Sequence, residues 1–233
     1  MLQNRIQAGQ LLSKKLVGYK NEKTVVVAIP NGGIPIGYYI AKELGVPLAV
    51  LPVQKIGHPN NPEHTIGAAG LTDYFIASPK GISKSYITKK IQDIHECLRN
   101  FKLNNHEFLK IPDLHHKTVL LVDDGMVSGA TLLYAIRQLQ KSQPKEIIVA
   151  VPVASHSAVA ALQKEVAAVI VVIIPPFIST VAEFYKNYDA ISAEEVNLYL
   201  QKIKALGQSS QSLESLKTVT MLHYKNKSQT TTI

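Results

Sequence analysis

Two adjacent carboxylates, Asp123 and Asp124, stand between an apolar run, Val119 to Val122, and a small-residue turn, Gly125-Met126-Val127-Ser128-Gly129-Ala130-Thr131. The run reads as a strand covered on both faces, and Leu132, Leu133, Ile136 and Leu139 recur as in a helix. The acids therefore fall at a strand's carboxyl end and the turn at a helix's start. Backbone N–H groups there lack intrahelical partners and carry partial positive charge, and Gly and Ser let an anion come close. Two neighbouring Asp side chains cannot be buried unpaired without a large cost, so sugar hydroxyls, a magnesium shell or water should satisfy them. The pattern points to a grip on a phosphorylated sugar.

A mostly parallel α/β sheet must position this segment. Ile6, Leu11, Leu12, Leu16 and Val17 mark a first amphipathic helix, and Thr24 to Ile29 is a β-branched run ended by Pro30. Asn31-Gly32-Gly33 turns into a helix near Ile36 to Leu44, and a second strand is expected over Leu48 to Val53, completing a βαβ unit. From Gln54 to Gly70 the pattern lapses into Gly, Pro, Asn and His, which predicts a mobile functional loop too polar for a core element. Leu71 to Ala77 could return as a strand. Ile87, Ile91, Ile94, Leu98 and Phe101 mark one face of a long helix, with Lys84, Lys89 and Lys90 on its solvated side. Glu146 to Val153 and Val169 to Ile174 are further buried strands, separated by a helix containing Val159 and Leu162. Short helical segments are expected around Thr180 to Tyr185 and Ala193 to Leu206. One domain spans residues 1–206, and the polar stretch 207–233 reads as a flexible tail in which Leu213, Leu216 and Met221 could dock.

Composition narrows the classes. A length of 233 residues and 46% hydrophobic content suit one α/β domain with a sizeable core. A formal charge of +8 and a pI near 9.4 suit a polyanionic small substrate, and leave nucleic acid open without favouring it. Cys97 is the sole cysteine, which excludes an internal disulfide framework and a cysteine-based zinc site. Met1 to Lys20 lacks a signal-peptide core, and Val166 to Phe177 is too short to span a bilayer. The expectation is a soluble cytoplasmic protein with no membrane partner.

The segment Val119 to Thr131 resembles the phosphoribosyl pyrophosphate (PRPP) signature of the type I phosphoribosyltransferases. A Rossmann or P-loop reading fails on spacing, since no Gly-x-Gly-x-x-Gly opens a helix here and no Gly-Lys-Ser/Thr ends the loop. Ile29-Pro30-Asn31-Gly32-Gly33, Lys55 to Glu63 and Val149 to Ser155 bring the chain nearer to a little-characterised bacterial subgroup of predicted phosphoribosyltransferases. The resemblance implies a central mostly parallel sheet flanked by helices, with a small hood built from the N-terminal helix and about residues 175–206. It implies transfer of the phosphoribosyl group from PRPP to a nitrogenous acceptor, with release of pyrophosphate and with Mg2+ as cofactor. Asp123 and Asp124 would serve the ribose hydroxyls and, through them or water, the metal. Val127, Ser128, Gly129, Ala130 and Thr131 would hold the 5'-phosphate, Asn31, Gly32 and Gly33 the pyrophosphate, and Lys55 the charge of the departing group. His58 is a weaker candidate on the same stretch. A homodimer is compatible with this reading.

Two departures bear on activity. Members of the subgroup tend to have Arg where this chain has Asn31 and Gln54, and neither amide reproduces the planar guanidinium fork. A PRPP-binding regulator with weak or no catalysis is therefore the alternative. Val127 occupies the position of an Asp that serves the purine in hypoxanthine-guanine enzymes, so that role is absent. Phe177 and Tyr185 are the candidate base contacts, Phe177 by stacking.

Overall fold

The computed structural model describes residues 1–21, 23–77, 80–105 and 111–206. Helices α1 (Arg5–Lys15) and α2 (Gly33–Leu44) flank β1 (Thr24–Ala28), and β2 (Leu48–Val50) follows. Next come β3 (Gln54–His58), β4 (Asn61–Ala69), β5 (Tyr74–Ile76) and the long α3 (Lys84–Asn105). The chain then alternates through β6 (Thr118–Val122), α4 (Ala130–Gln140), β7 (Glu146–Val153), α5 (His156–Leu162) and β8 (Ala168–Ile173). A 3-10 turn at Val181–Phe184 and a helix over 193–206 end the described part.

Strand alternation builds two cores. Val26, Ala28, Leu120, Val122, Ile148 and Ala150 turn toward Leu12, Ile36 and Ile40 of the first two helices. Val25, Val27, Val119, Leu121, Val149 and Val151 turn the other way, toward Leu132, Ile136, Ala158 and Leu162 of α4 and α5. Continuous apolar strands are what a sheet covered on both faces requires. The five strands are parallel in the order β2-β1-β6-β7-β8. The chain winds outward from β1 to β2 in one direction and from β6 to β8 in the other. Loops leaving the carboxyl ends of β1 and β6 therefore diverge and open a crevice, the general place for ligands in such sheets. Ala28 lies opposite Val122, which sets the two loops side by side.

Three expectations need correction. The second strand stops at Val50 instead of Val53: Leu51 still donates to the Ala28 carbonyl, but Pro52 has no N–H to continue the ladder. Residues 54–70 are not an irregular loop. They form an antiparallel hairpin, β3 and β4, extended by β5 over Tyr74–Ile76. Ile56, Ile66 and Ala69 pack there against Ile91, Ile94 and Leu98 of α3 in a third core. In α1 the buried residues are Ala8, Gly9, Leu12 and Ser13, whereas Ile6 and Val17 of the expected apolar face are exposed. Gly9 lets α1 approach α2: a Cβ there would lie 3.0 Å from that of Tyr39.

The two ends of the described chain meet over the crevice. Leu2 donates to the Phe184 carbonyl at 2.8 Å, and Lys186 and Asn187 donate back to Leu2 and Gln3 at 2.8 and 3.0 Å. Val196, Tyr199, Leu200 and Ile203 of the 193–206 helix are buried against the same core as α1. The predicted tail lies outside the described residues.

Candidate functional site

Strand β6 delivers the acids to the crevice and α4 supplies the turn beyond them. Gly129 is the N-cap of α4, in the left-handed region at φ 72°, and it has no side chain with which to cap the first turn. Ser128 Oγ accepts the Ala130 N–H at 3.3 Å, and the other N–H groups of the first turn, with the positive end of the helix dipole, can face a ligand. The loop is held from behind. Met126 donates to the Val153 carbonyl at 2.9 Å, and Ser155 Oγ donates to the Val127 carbonyl at 2.6 Å while capping α5 by accepting from Ala158. With its carbonyls engaged on that side, the loop can present amides to the crevice.

The carboxylates differ in their surroundings. Asp123 Oδ1 accepts the Asp124 N–H at 2.8 Å, and burial together with the Asp124 charge holds the Asp123 carboxyl well above the usual carboxylate range. Asp124 Oδ2 accepts from Arg5 Nε and from the Tyr188 hydroxyl, both at 2.9 Å. The Arg5 and Asp124 side chains are each only 13% exposed. Burial alone would lower the Arg5 pKa, but the Asp124 charge and hydrogen bond outweigh it and raise it. The Tyr185 hydroxyl donates to the Asp124 carbonyl at 2.8 Å. Burial and the Asp124 charge raise both tyrosine pKa values, so both stay neutral donors.

One cavity of about 340 Å³ brings most of the predicted residues together. Asn31, Gly32, Lys55, Asp123, Asp124 and Val127 to Thr131 all line it. Gly33 does not: it is buried, and its N–H is spent on the Ile29 carbonyl at 3.0 Å. Its place is steric, since a Cβ there would lie 2.7 Å from the Val122 carbonyl oxygen. Gly32 is equally constrained, because a Cβ would collide with the Asp124 carboxylate. Phe177 is 78% exposed, Tyr185 is 5% exposed, and neither lines the cavity; His58 also lies outside its walls, its ring 6.0 Å from that of His64. No described helix is long and apolar enough to cross a membrane.

Sequence reasoning missed Arg5, Tyr188 and the α3 wall of Cys97, Leu98 and Phe101. A signal for Arg5 existed. A cation in the first turn of a helix opposes the dipole, and Arg5 opens α1 while Lys14 and Lys15 sit favourably at its end. Tyr188 sits in the polar stretch Lys186-Asn187-Tyr188-Asp189, with no periodicity to flag it. Leu98 and Phe101 belong to the apolar face that the sequence marks on this helix, and Leu98 does pack as well as line the cavity; Cys97 stands outside that face.

Fold and cavity define an α/β protein with a glycine-led helix start that suits an anion and paired acids that suit hydroxyls, at a sheet's switch point. The model of the phosphoribosyl transferase domain matches residues 2–188, and the chain belongs to that family. Two Mycobacterium tuberculosis proteins, from strains CDC 1551 and H37Rv and provisionally assigned as phosphoribosyl transferases, are each 27% identical over 207 residues. Those alignments cover 87% of this chain but 47% of each relative, so the chain spans about half the length of the curated relatives it matches. A crystal structure of a Thermus thermophilus protein is 30% identical, with a TM-score of 0.68 over 85% of this chain and 97% of that one.

Proposed function

We propose that the chain binds PRPP with magnesium and transfers its phosphoribosyl group to a small nitrogenous base, releasing pyrophosphate. The observation that carries this reading is the convergence of Asn31, Gly32, Lys55, both acids and the Val127 to Thr131 loop on one cavity. Its volume, about 340 Å³, falls in the range of small-ligand sites. The 5'-phosphate sits on the α4 start, where only Ser128 and Thr131 add hydroxyls to the backbone amides. Asp123 and Asp124 accept from the ribose hydroxyls. Lys55 faces the pyrophosphate and offsets its charge as the glycosidic bond breaks.

The donor set suits a magnesium ion held mainly by substrate and water. Among the described residues no group of three His, Cys, Asp or Glu could hold a metal directly, and Asp124 Oδ2 is taken by Arg5 and Tyr188. The acids therefore reach the ion through ribose hydroxyls or water, consistent with its reluctance to lose its hydration shell. When bound, magnesium would supply positive charge against the leaving group, held by substrate oxygens and water beside Asp123 and Asp124. The chain's own part is to place the reactants and keep the sugar's two ends fixed.

A second reading has a specific observation behind it. Asn31 and Gln54 both line the cavity as neutral amides, which leaves less positive charge for pyrophosphate than a guanidinium pair would. A PRPP-binding regulator would need the grip and not the turnover. Calorimetry with PRPP under saturating magnesium, followed by pyrophosphate release across a panel of purine and pyrimidine bases, separates the two. Uptake with release for at least one base is expected; uptake without release across the panel favours the regulator. Absence of uptake overturns both.

A further inference from the structure

Three side chains from outside the sugar-phosphate loops close on one residue. Arg5 Nε and the Tyr188 hydroxyl meet Asp124 Oδ2, and the Tyr185 hydroxyl meets the Asp124 carbonyl. The Arg5 guanidinium lies 4.0 Å over the Tyr188 ring and donates through Nη1 to the Asp189 carbonyl at 2.9 Å. It is thus fixed by a carboxylate, a carbonyl and a ring face, which its planar fork suits and an ammonium would not. On its other side the Asp124 carboxylate fills the space that a Cβ on Gly32 would take. The side chain cannot swing toward the β1 loop, and Oδ2 already has two donors. Among the described residues no N–H or hydroxyl donor bonds Oδ1, and the neighbouring group on the strand side is the Asp123 carboxyl.

We propose that Arg5 and Tyr188 are positioning residues that hold Asp124 by Oδ2 and so aim Oδ1 at the sugar hydroxyls. This rests on the phosphoribosyl reading of the cavity. Tyr188 lines the cavity and Arg5 stands behind Asp124, outside its walls. Both are carried by the hood where the chain ends pair, through Leu2 with Phe184 and Lys186. The hood therefore acts on the sugar through Asp124, whereas the α4 start that takes phosphate is anchored separately, through Ser155 and Met126.

That separation gives a test with two probes. Ribose 5-phosphate uses hydroxyl and phosphate subsites, and inorganic phosphate uses the phosphate subsite alone. With magnesium present, the wild-type protein should bind ribose 5-phosphate more tightly than phosphate. Arg5→Gln should weaken ribose 5-phosphate about tenfold, the scale of a lost charge-assisted hydrogen bond, and leave phosphate binding within about twofold. Tyr188→Phe keeps the ring under the guanidinium and removes one donor, so it should show a smaller loss in the same direction. Arg5→Lys should recover part of the loss. Equal weakening of both probes would mean a merely structural role, and unchanged ribose 5-phosphate affinity in Arg5→Gln and Tyr188→Phe would mean no role; either overturns the proposal. A wild-type protein that does not distinguish the probes fails at the site reading itself, and the proposal falls with it.

Discussion

At the residue scale, the two acids should respond to the same substitution in opposite ways. Asp124 balances Arg5 in a partly buried pair, so Asp124→Asn leaves a guanidinium with no counter-charge and should cost about 3 kcal/mol in denaturant unfolding. If the cavity works as proposed, it should also reduce pyrophosphate release by about a hundredfold, since a neutral amide accepts more weakly from hydroxyls. Asp123 has the contrary problem. Its pKa is raised in the fold by burial and by Asp124, so the folded state favours the protonated form relative to the unfolded chain. Its contribution to stability is then most favourable below the unfolded carboxylate value and is lost as pH rises through the raised folded value. At pH 7 the Asp123 carboxyl is a net cost, and Asp123→Asn should melt higher than wild type, by about 2–4 °C for each kcal/mol relieved. The gain should vanish as pH falls toward 4, where both states of the wild-type residue take up the proton. A variant that melts lower at pH 7 would show that the Asp123 charge is compensated more fully than its neighbours suggest.

At the element scale, one carboxylate ties the antiparallel sheet to α4. Asp73, between β4 and β5, accepts from the hydroxyl of Tyr134 and from Gln138 Nε2 at 3.0 Å, with Lys141 Nζ at 3.4 Å. All three partners lie on the α4 side. Asp73→Ala leaves the hydroxyl of the buried Tyr134 only its long contact to the backbone carbonyl of residue 73, at 3.4 Å, and should cost about 1 kcal/mol. Hydrogen exchange should then quicken in β3 to β5 and stay unchanged in β1, β6 and β7; uniform quickening would deny Asp73 its local role. This part of the molecule was the least legible in the sequence, for a physical reason. The hairpin register shifts at Ile56, Gly57 and His58, which breaks two-residue alternation, and its apolar partners Ile91, Ile94 and Leu98 lie on a helix far along the chain. The parallel strands were legible because they carry their own evidence, Thr118 to Val122 being buried on both faces without help from elsewhere. Likewise Asp123 to Thr131 could be read locally, since acids, turn and helix start are contiguous. Arg5 and Tyr188 could not, because their meaning comes from Asp124, a residue 119 positions from Arg5 and 64 from Tyr188.

At the scale of the whole molecule, charge is the property that no single element carries. The formal charge of +8 is far larger than Lys55 alone brings to the cavity, where Asn31 and Gln54 are neutral. A polyanionic ligand should feel this charge mainly during approach, through a field that salt screens: the Debye length falls from about 30 Å at 0.01 M to about 8 Å at 0.15 M ionic strength. On the proposed reading, contacts inside the cleft would come from backbone amides and hydroxyls and would be shielded much less. Stopped-flow binding of PRPP with magnesium across that range should therefore show the association rate falling by about tenfold while the dissociation rate changes little. The distinction bears on how the molecule offsets its missing guanidinium groups. If the dissociation rate carries the salt dependence instead, the compensation is local, with Lys55 holding the pyrophosphate at the cavity wall. If association carries it, the basic surface collects the ligand, and retention rests on the α4 start and the Arg5-braced acid.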